Sequence, residues 1–284
     1  MRRIFLGCAV WSEKGWEGGF FPTNCNRKDY LHLYAQRLYC VEGNTVFYGI
    51  PKHETRELWR EQTHSDFRFC LKLPRFISHC GRLAEQTEAS IEFAMQIERD
   101  LNGRLGPFFL QLPPSYSVVQ GPDLSIFLNY WRKHYNGAIN IEVRHPSWFI
   151  PVNQDRLNVM LARLGHGRVI LDTRPVYKGS TGAQDGCENK KPDLPIHYSV
   201  TNQQVFVRLI CHPNAEENEI YFQEWAQKVS QWFQEGKEIF FFVHCPQERY
   251  SVYLLRRFQE VLESVDSSIP SLPWNDLPKW GLFD

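Results

Sequence analysis

Short apolar segments recur along the chain, each rich in β-branched or aromatic residues and bounded by polar or turn-forming residues. Several are apolar at nearly every position, as in residues 239–243 (IFFFV), which is typical of parallel strands buried on both faces. Eight such segments are predicted to be strands: residues 4–8, 40–44, 67–73, 107–112, 138–143, 168–172, 204–209 and 238–243.

Helical periodicity marks several of the segments between these strands. Asn218 and Gly236 bracket one of these segments as start and stop signals, and Asp123 with Ser125 predicts the start of a helix that runs to about His134. Three apolar stripes have the spacing of one helix face: Phe93, Ala94, Ile97 and Leu101; Phe222, Trp225, Val229, Trp232 and Phe233; and Leu254, Leu255, Phe258, Val261 and Leu262.

Strand and helix therefore alternate eight times, with strand starts mostly about 30–40 residues apart. A doubly wound open sheet would usually carry a glycine-rich turn after its first strand, whereas residues 9–22 form a long aromatic loop. The chain contains no Gly-x-Gly-x-x-Gly motif and no P-loop. The sequence thus predicts an α/β fold, a TIM-like (β/α)8 barrel, as a single domain over residues 1–284.

Two segments interrupt the alternation. Residues 173–203, after the sixth predicted strand, contain glycines and prolines over a length typical of a lid, a binding loop or a disordered segment. The tail after Val265 contains three prolines together with Trp274 and Trp280. These tryptophans predict that the tail packs on the barrel.

Composition and charge narrow the functional classes. Of the 284 residues, 43% are hydrophobic and 23% charged, and 32 basic side chains balance 32 acidic ones. A net charge of zero gives no overall electrostatic attraction to nucleic acid or anionic membrane, although a local basic patch stays an open alternative. No apolar run approaches the ~18 residues that cross a bilayer, so no membrane partner is expected. Eight cysteines without a Cys-x-x-Cys pair predict a reducing, cytoplasmic location.

Polar side chains concentrate where the predicted strands end, the edge at which such barrels carry their working residues. Guanidinium and ammonium groups match phosphate or carboxylate oxygens, whereas carboxylates and imidazoles move protons. The substrate-binding candidates are Trp11, Asn44, Lys72, Arg75, His79, Gln111, Arg144, Arg174 and Arg208. The candidates for acid–base catalysis are Glu42, Glu142, His145 and Asp172.

Other interpretations of these residues stay open. Buried arginine and glutamate side chains at strand ends often form structural pairs with each other. A metal site is conceivable from Glu142, Asp172 and His145, or from the Cys-His pairs at 211–212 and 244–245 near Cys8. Successive strand residues face opposite sides, which weakens the second set. The sequence identifies no cofactor.

The strand ends also resemble the YecE-like family, the domain-of-unknown-function family numbered 72. The matching stretches are residues 41–48 (VEGNTVFY), 67–74 (FRFCLKLP), 77–79 (ISH), 111–114 (QLPP), 142–146 (EVRHP), 169–175 (VILDTRP) and 190–192 (KKP). The resemblance implies a TIM-barrel-like fold and supplies no mechanism. Residues 7–11 (GCAVW) and 244–246 (HCP) depart from the wider family pattern of Gly-Thr-Ser-Gly-Trp and Asn-Asp, so no role is transferred there.

Three functional hypotheses follow. In the first, Lys72, Arg75, Arg144 and Arg208 anchor a small anion at the C-terminal face, with Glu142 or Asp172 as the acid or base. In the second, the same face binds nucleic acid or acts as a metal-dependent phosphoesterase, with the aromatic first loop and three loop lysines holding the strand. Those lysines are Lys178, Lys190 and Lys191. In the third, the barrel is a non-catalytic scaffold; oligomeric state stays open.

Overall fold

The strands of the computed structural model, which describes residues 3–180, 182–184 and 190–276, match the predicted apolar segments to within two residues at each end. They are β1 (Ile4–Cys8), β2 (Cys40–Gly43), β3 (Arg68–Leu71), β4 (Phe108–Gln111), β5 (Ile139–Glu142), β6 (Gly167–Asp172), β7 (Gln204–Ile210) and β8 (Glu238–His244).

Helices separate successive strands and pack outside them. The α-helices are α1 (Tyr30–Ala35), α2 (Thr45–Tyr48), α3 (His53–Glu61), α4 (Arg75–Ser78), α5 (Thr87–Leu101), α6 (Gly121–His134), α7 (Pro151–Leu164), α8 (Arg174–Lys178), α9 (Glu219–Gln234) and α10 (Ser251–Val265). Short 3-10 helices span Lys14–Trp16, Arg27–Asp29, Leu83–Gln86, Val118–Gln120, Pro146–Phe149, Glu216–Asn218, Glu248–Tyr250 and Pro273–Asp276. None of the described helices is long and apolar enough to cross a lipid bilayer.

The three predicted apolar stripes lie on α5, α9 and α10, which confirms those helices. The predicted start of α6 was two residues late, because the helix begins at Gly121. Asp123 does not cap it. The Asp123 carboxylate instead accepts hydrogen bonds from the backbone amides of Leu83 and Ala84, at 2.9 and 3.1 Å.

The eight parallel strands close into a barrel rather than an open sheet, as predicted. Their order is β3-β2-β1-β8-β7-β6-β5-β4. The two outer strands of that order, β3 and β4, meet through bridges that pair Phe69 with Leu105 and Lys72 with Phe109. The Leu73 amide also donates a 2.9 Å hydrogen bond to the Phe109 carbonyl, so the main chain just beyond β3 is fixed against β4.

The barrel interior is layered. Eight buried side chains form its central apolar layer: Phe5, Cys40, Cys70, Phe109, Val169, Phe206, Phe240 and Phe242. Residues two apart on a strand share a face, so the next inward position on each strand lies one layer closer to the C-terminal mouth. Those positions are polar on β2, β4, β7 and β8 and just beyond β3. The alternation of inward-facing residues therefore places a polar layer above the apolar core, at the end of the barrel where such folds carry their sites.

The two irregular segments both pack on the barrel where they are described. In the 173–203 loop, Leu194 joins Leu171 and Ile210 in a small buried apolar cluster at the mouth. In the C-terminal tail, the Trp274 ring lies 4.7 Å from the Phe20 ring, which confirms packing at that tryptophan. Trp280 of the predicted tail, Cys187 and the loop residues 181 and 185–189 lie outside the described residues.

Candidate functional site

Six buried polar side chains form one layer at the C-terminal mouth, here called the inner polar layer. Each is at most 8% exposed to solvent. Its members come from five strands and from the residue just after β3: Glu42, Lys72, Gln111, Glu142, Arg208 and His244. Four of the predicted site residues, one each from β2, β4, β5 and β7, therefore lie together with Lys72, which was also predicted.

Arg208 is the centre of this layer. Its Nε and Nη2 atoms donate to the two oxygens of Glu42 at 2.8 and 2.7 Å. Its Nη1 atom donates to Glu142 Oε2 at 2.5 Å. One guanidinium thus joins β2, β5 and β7 inside the barrel, with all three of its nitrogens used by carboxylates.

The remaining carboxylate contacts are also supplied by the protein. Arg144 Nε donates to Glu142 Oε1 at 2.6 Å, and its Nη2 donates to the Gln111 side-chain oxygen at 2.9 Å. Asn44 Nδ2 donates to Glu42 Oε1 at 2.7 Å. Every oxygen of the two glutamates therefore accepts at least one hydrogen bond from a side chain.

This hydrogen bonding keeps both glutamates ionised. Burial opposes the charge of Glu142, but Arg208 and Arg144 outweigh it and lower its pKa from 4.5 to about 2. Burial likewise opposes the charge of Glu42, whose pKa is held well below its usual range by Arg208 and then His244. Neither carboxylate carries a proton near neutral pH.

His244 is neutral in this environment. Burial lowers its pKa from 6.5 to about 4, although nearby Glu42 acts in the opposite direction. Its Nε2 atom lies 3.0 Å from Glu42 Oε2. Because an ionised carboxylate only accepts hydrogen bonds, Nε2 carries the proton and donates it.

Lys72 is the exception in the inner polar layer. Its Nζ atom lies 3.7 Å from the centre of the Phe47 ring. Among residues 3–180, 182–184 and 190–276 the Nζ atom has no hydrogen bond and no ion pair. Burial first, and Arg208 second, lower its pKa from 10.5 to about 7, against the opposing charges of Glu142 and Glu42. Its charge is therefore not compensated as those of the arginines are.

His79 and Arg75 lie beside Lys72 on the loop that contains α4. The His79 ring meets the Phe47 ring edge-on at 5.1 Å, and its Nδ1 atom lies 2.7 Å from Ser78 Oγ. Burial and then Lys72 and Arg75 lower the pKa of His79 from 6.5 to about 4. Arg75 itself is exposed at the rim.

A cleft of roughly 470 Å³ opens beside these residues, between the loops that follow β3 and β4. His79 and Ser78 lie on its wall. The other lining residues are Gly81, Arg82, Pro113, Ser115, Tyr116, Val119, Gln120, Pro122 and Asp123. The cleft is therefore on the same face of the barrel as the inner polar layer.

Asp172 and Arg174 are not part of this arrangement. Asp172 Oδ2 accepts a 2.8 Å hydrogen bond from the indole of Trp225 on α9, so it points out of the barrel. Arg174 binds Asp172 at 2.8 Å and Glu224, also on α9, at 3.0 Å. The two predicted site residues thus join β6 to an outer helix.

His145 and Trp11 also lie away from the layer. His145 Nδ1 accepts the Ser147 amide at 3.1 Å and so begins the 3-10 helix Pro146–Phe149. The Trp11 ring packs edge-on against Trp59 at 5.2 Å, between the first loop and α3. Both are only partly buried, and both have structural contacts.

The metal donor sets considered from the sequence are not assembled. Glu142 is bound by arginines, Asp172 faces α9 and His145 caps a helix. Cys211 and Cys245 are buried in the apolar layer between strands and helices. In the part of the chain that the structure describes, no three or more His, Cys, Asp or Glu side chains are grouped to hold a metal ion.

Glu248, near the mouth, was not assigned to a site from the sequence, and Lys191 was assigned only to the nucleic-acid hypothesis. Burial raises the pKa of Glu248, in the loop after β8, from 4.5 to about 7, although the hydroxyl of Ser251 and the charge of Lys191 oppose this. Burial and then Arg208 lower the pKa of Lys191, in the loop after β6. Neither residue ends a strand, so strand-end positions could not select them, and Lys191 had a further signal in residues 190–192 (KKP), which match the family.

An eight-stranded parallel barrel with a polar layer at its C-terminal mouth defines a protein of the TIM-like α/β-barrel class. The chain belongs to the family described as protein of unknown function DUF72, whose model matches residues 5–277. It is 34% identical over 273 residues to the UPF0759 protein YecE of Escherichia coli strain K12, covering 95% of this chain and 96% of the relative. The predicted family resemblance is confirmed.

Solved structures of the same family share the fold. A DUF72 family protein from Enterococcus faecalis V583 superposes with a TM-score of 0.70 at 21% identity, over 92% of this chain and 95% of that one. One from Thermotoga maritima MSB8 gives a TM-score of 0.68 at 19% identity, over 92% and 100%. At this identity the likeness establishes the architecture alone.

Proposed function

We propose that the C-terminal mouth of the barrel binds a small anionic molecule that carries a phosphate or carboxylate group. The observation that supports this is the Lys72 ammonium, which is only 7% exposed and has no ion pair among the described residues. A buried charge without a counter-ion is unfavourable. A bound anion beside Lys72 would remove that cost.

The charge balance of the mouth agrees with this proposal. Among the described residues of the inner polar layer and its neighbour Arg144, the three cations Lys72, Arg144 and Arg208 are set against two ionised carboxylates, Glu42 and Glu142. His244 is neutral and adds no charge of its own near pH 7. The inner polar layer and its neighbour Arg144 therefore carry one excess positive charge when Lys72 is protonated.

The hydrogen bonds support different roles for the two arginines. All three nitrogens of Arg208 are held by glutamates, so we assign it to positioning rather than to the ligand. Arg144 uses Nε and Nη2 for protein contacts, and we assign its Nη1 atom to the anion. Glu42 and Glu142, which hold the arginines in place, are not assigned acid–base roles because their pKa values lie far below neutrality.

A small ligand rather than a nucleic-acid strand is favoured by the neighbouring cleft, which meets the inner polar layer at its edge, where His79 and Lys72 both contact the Phe47 ring. The cleft volume of roughly 470 Å³ lies within the range of about 300–1,000 Å³ that is typical of small-molecule sites. Lys191, one of three lysines considered for nucleic-acid contact, lies close enough to Arg208 and Glu42 to interact electrostatically with both. That position favours a contribution to the same anion site.

Calorimetric titration at constant ionic strength tests the proposal, with inorganic phosphate and pyruvate as separate probes. At least one probe should bind the wild-type protein, and Lys72→Met should weaken its binding at least about tenfold. Lys133→Met is the matched control, because it removes the same charge from an exposed residue at the far end of α6. Equal binding by the wild type and Lys72→Met, or no binding of either probe, would contradict the proposal.

A further inference from the structure

We propose that Lys72 is a nucleophilic amine that forms an imine with a small anion bearing an aldehyde or ketone carbonyl. This inference rests on the proposed function, because the anionic group is what would bring the carbonyl to Lys72. It goes further by naming a covalent step and the chemical class of its substrate.

The surroundings of Lys72 fit an amine that reacts rather than one that forms an ion pair. Its main chain is fixed between β3 and β4 through the pairing of Lys72 with Phe109 and the adjacent Leu73 hydrogen bond. Its Nζ atom lies against the face of Phe47, an apolar wall 3.7 Å from the ring centre. A desolvated lysine beside other cations is a recognised way to obtain a reactive amine at neutral pH.

Taken together, the charged groups around Lys72 lower its pKa, as burial does. Arg208 and Arg144 disfavour the ammonium form, whereas Glu142 and Glu42 favour it. His79, whose ring also contacts the Phe47 ring, stays neutral near pH 7, because burial and Lys72 lower its pKa to about 4. With a pKa of about 7 in the ligand-free protein, roughly half of the Lys72 side chains are neutral at pH 7, against well under ~0.1% for an ordinary lysine. In the imine step the Nη1 atom of Arg144 holds the anionic group, and the neutral form of Lys72 faces the carbonyl.

The proposed reaction balances without any further reagent. The lone pair of the neutral Nζ forms a bond to the carbonyl carbon while the C=O π pair moves onto the oxygen, and transfer of one proton from nitrogen to that oxygen gives a carbinolamine. The hydroxyl then takes a proton from solvent and leaves as water as the nitrogen lone pair forms the C=N bond, and the nitrogen returns its remaining proton to solvent. Amine and carbonyl compound thus give imine and water, and nothing is oxidised or reduced.

Other groups at the mouth are less suited to this step. The Arg208 guanidinium is protonated and fully hydrogen-bonded, and His244 Nε2 donates to Glu42. Lys191 is the second lysine near the mouth whose pKa is lowered by burial. It is therefore the natural internal comparison for Lys72.

Reductive trapping tests the inference. The wild-type protein is incubated at pH 7 with glyoxylate and sodium cyanoborohydride, which reduces an imine to a stable secondary amine, and each lysine is then followed by peptide mass spectrometry. Lys72 should gain a carboxymethyl group at least about tenfold faster than Lys133 or Lys191. Lys72→Met should remove this fast phase, whereas Lys133→Met should leave it unchanged. Because the comparison is made first within the wild-type protein, it does not depend on the folding of any variant.

Propanal, a neutral aldehyde, separates the two proposals. If glyoxylate modifies Lys72 preferentially and propanal does not, both the anion site and the imine are supported. If phosphate or pyruvate binding depends on Lys72 but glyoxylate modifies it no faster than Lys133, the imine is overturned and the anion site stands. If propanal and glyoxylate show the same preference for Lys72 and neither anion binds, the anion site fails. Preferential modification of Lys191 would overturn the assignment to Lys72.

Discussion

Arg208 on β7 and Glu42 on β2 form a two-point ion pair inside the barrel, with N–O distances of 2.8 and 2.7 Å. The two strands are separated by β1 and β8 in the sheet order, so the pair crosses the barrel interior and is not a contact between neighbouring strands. Both side chains are almost completely buried. The pair therefore joins distant parts of the wall where the apolar core gives way to the polar mouth.

Loss of this pair should destabilise the fold strongly. Arg208→Met leaves Glu42 and Glu142 buried with fewer donors, so the free energy of unfolding should fall by about 3–5 kcal/mol. Urea unfolding at pH 7 measures this. Arg163→Met, an exposed arginine at the end of α7, is the control and should change stability by less than about 0.5 kcal/mol. A loss below about 1 kcal/mol for Arg208→Met would show that the pair contributes little beyond packing.

Lys72→Met should have the opposite effect on stability. Removing an unpaired buried amine is expected to raise the free energy of unfolding at pH 7 by about 1–4 kcal/mol. The unfolded lysine has a pKa near 10.5 and the folded one about 7, so the unfolded state binds more protons between these values. Wild-type stability attributable to Lys72 therefore increases as pH rises from 7 towards 10.5. The difference between variant and wild type should shrink from pH 7 to pH 10 in parallel urea titrations; a constant difference would contradict the burial argument.

The fold could be predicted from sequence in detail, and the site only in part. Apolar runs such as 239–243 locate strands well because burial on both faces requires them. Because burial on both faces makes inward and outward positions equally apolar, the sequence does not show which way a side chain at a strand end points. Glu142 and Asp172 each end a strand, yet one joins the inner polar layer and the other contacts α9. Glu248 and Lys191 depend on loop paths that no periodicity encodes.

The outward position of Asp172 leads to a discriminating experiment. Asp172→Asn keeps the shape that accepts the Trp225 indole but weakens the pair with Arg174, so stability should fall by about 1–3 kcal/mol. Anion binding at the mouth should be unchanged, because Asp172 does not face the inner polar layer. Calorimetry with the probe that binds the wild type, beside urea unfolding, measures both effects. If Asp172→Asn weakened anion binding in proportion to the stability that it loses, Asp172 would have to be counted among the site residues.

The contribution of Glu248 to stability should change with pH in the opposite direction to the contributions of Glu42 and Glu142. Burial raises its folded pKa to about 7, whereas the unfolded value is near 4.5. The folded state therefore binds more protons between these values, and the contribution of Glu248 to stability increases as pH falls from 7 to 4.5. Glu248→Gln should accordingly be more stable than the wild type at pH 8, and this advantage should vanish near pH 4.5.

Urea unfolding of the two proteins at pH 8, 6 and 4.5 measures that difference, with Glu88→Gln as the exposed control on α5. The control should remain parallel to the wild type, because an exposed carboxylate is well solvated in both states. If the free energy of unfolding of Glu248→Gln, relative to that of the wild type, instead rises as the pH falls, Glu248 is stabilised as a carboxylate. Lys191 would then outweigh burial. The mouth would then hold a third ionised carboxylate, balanced by the charge of Lys191.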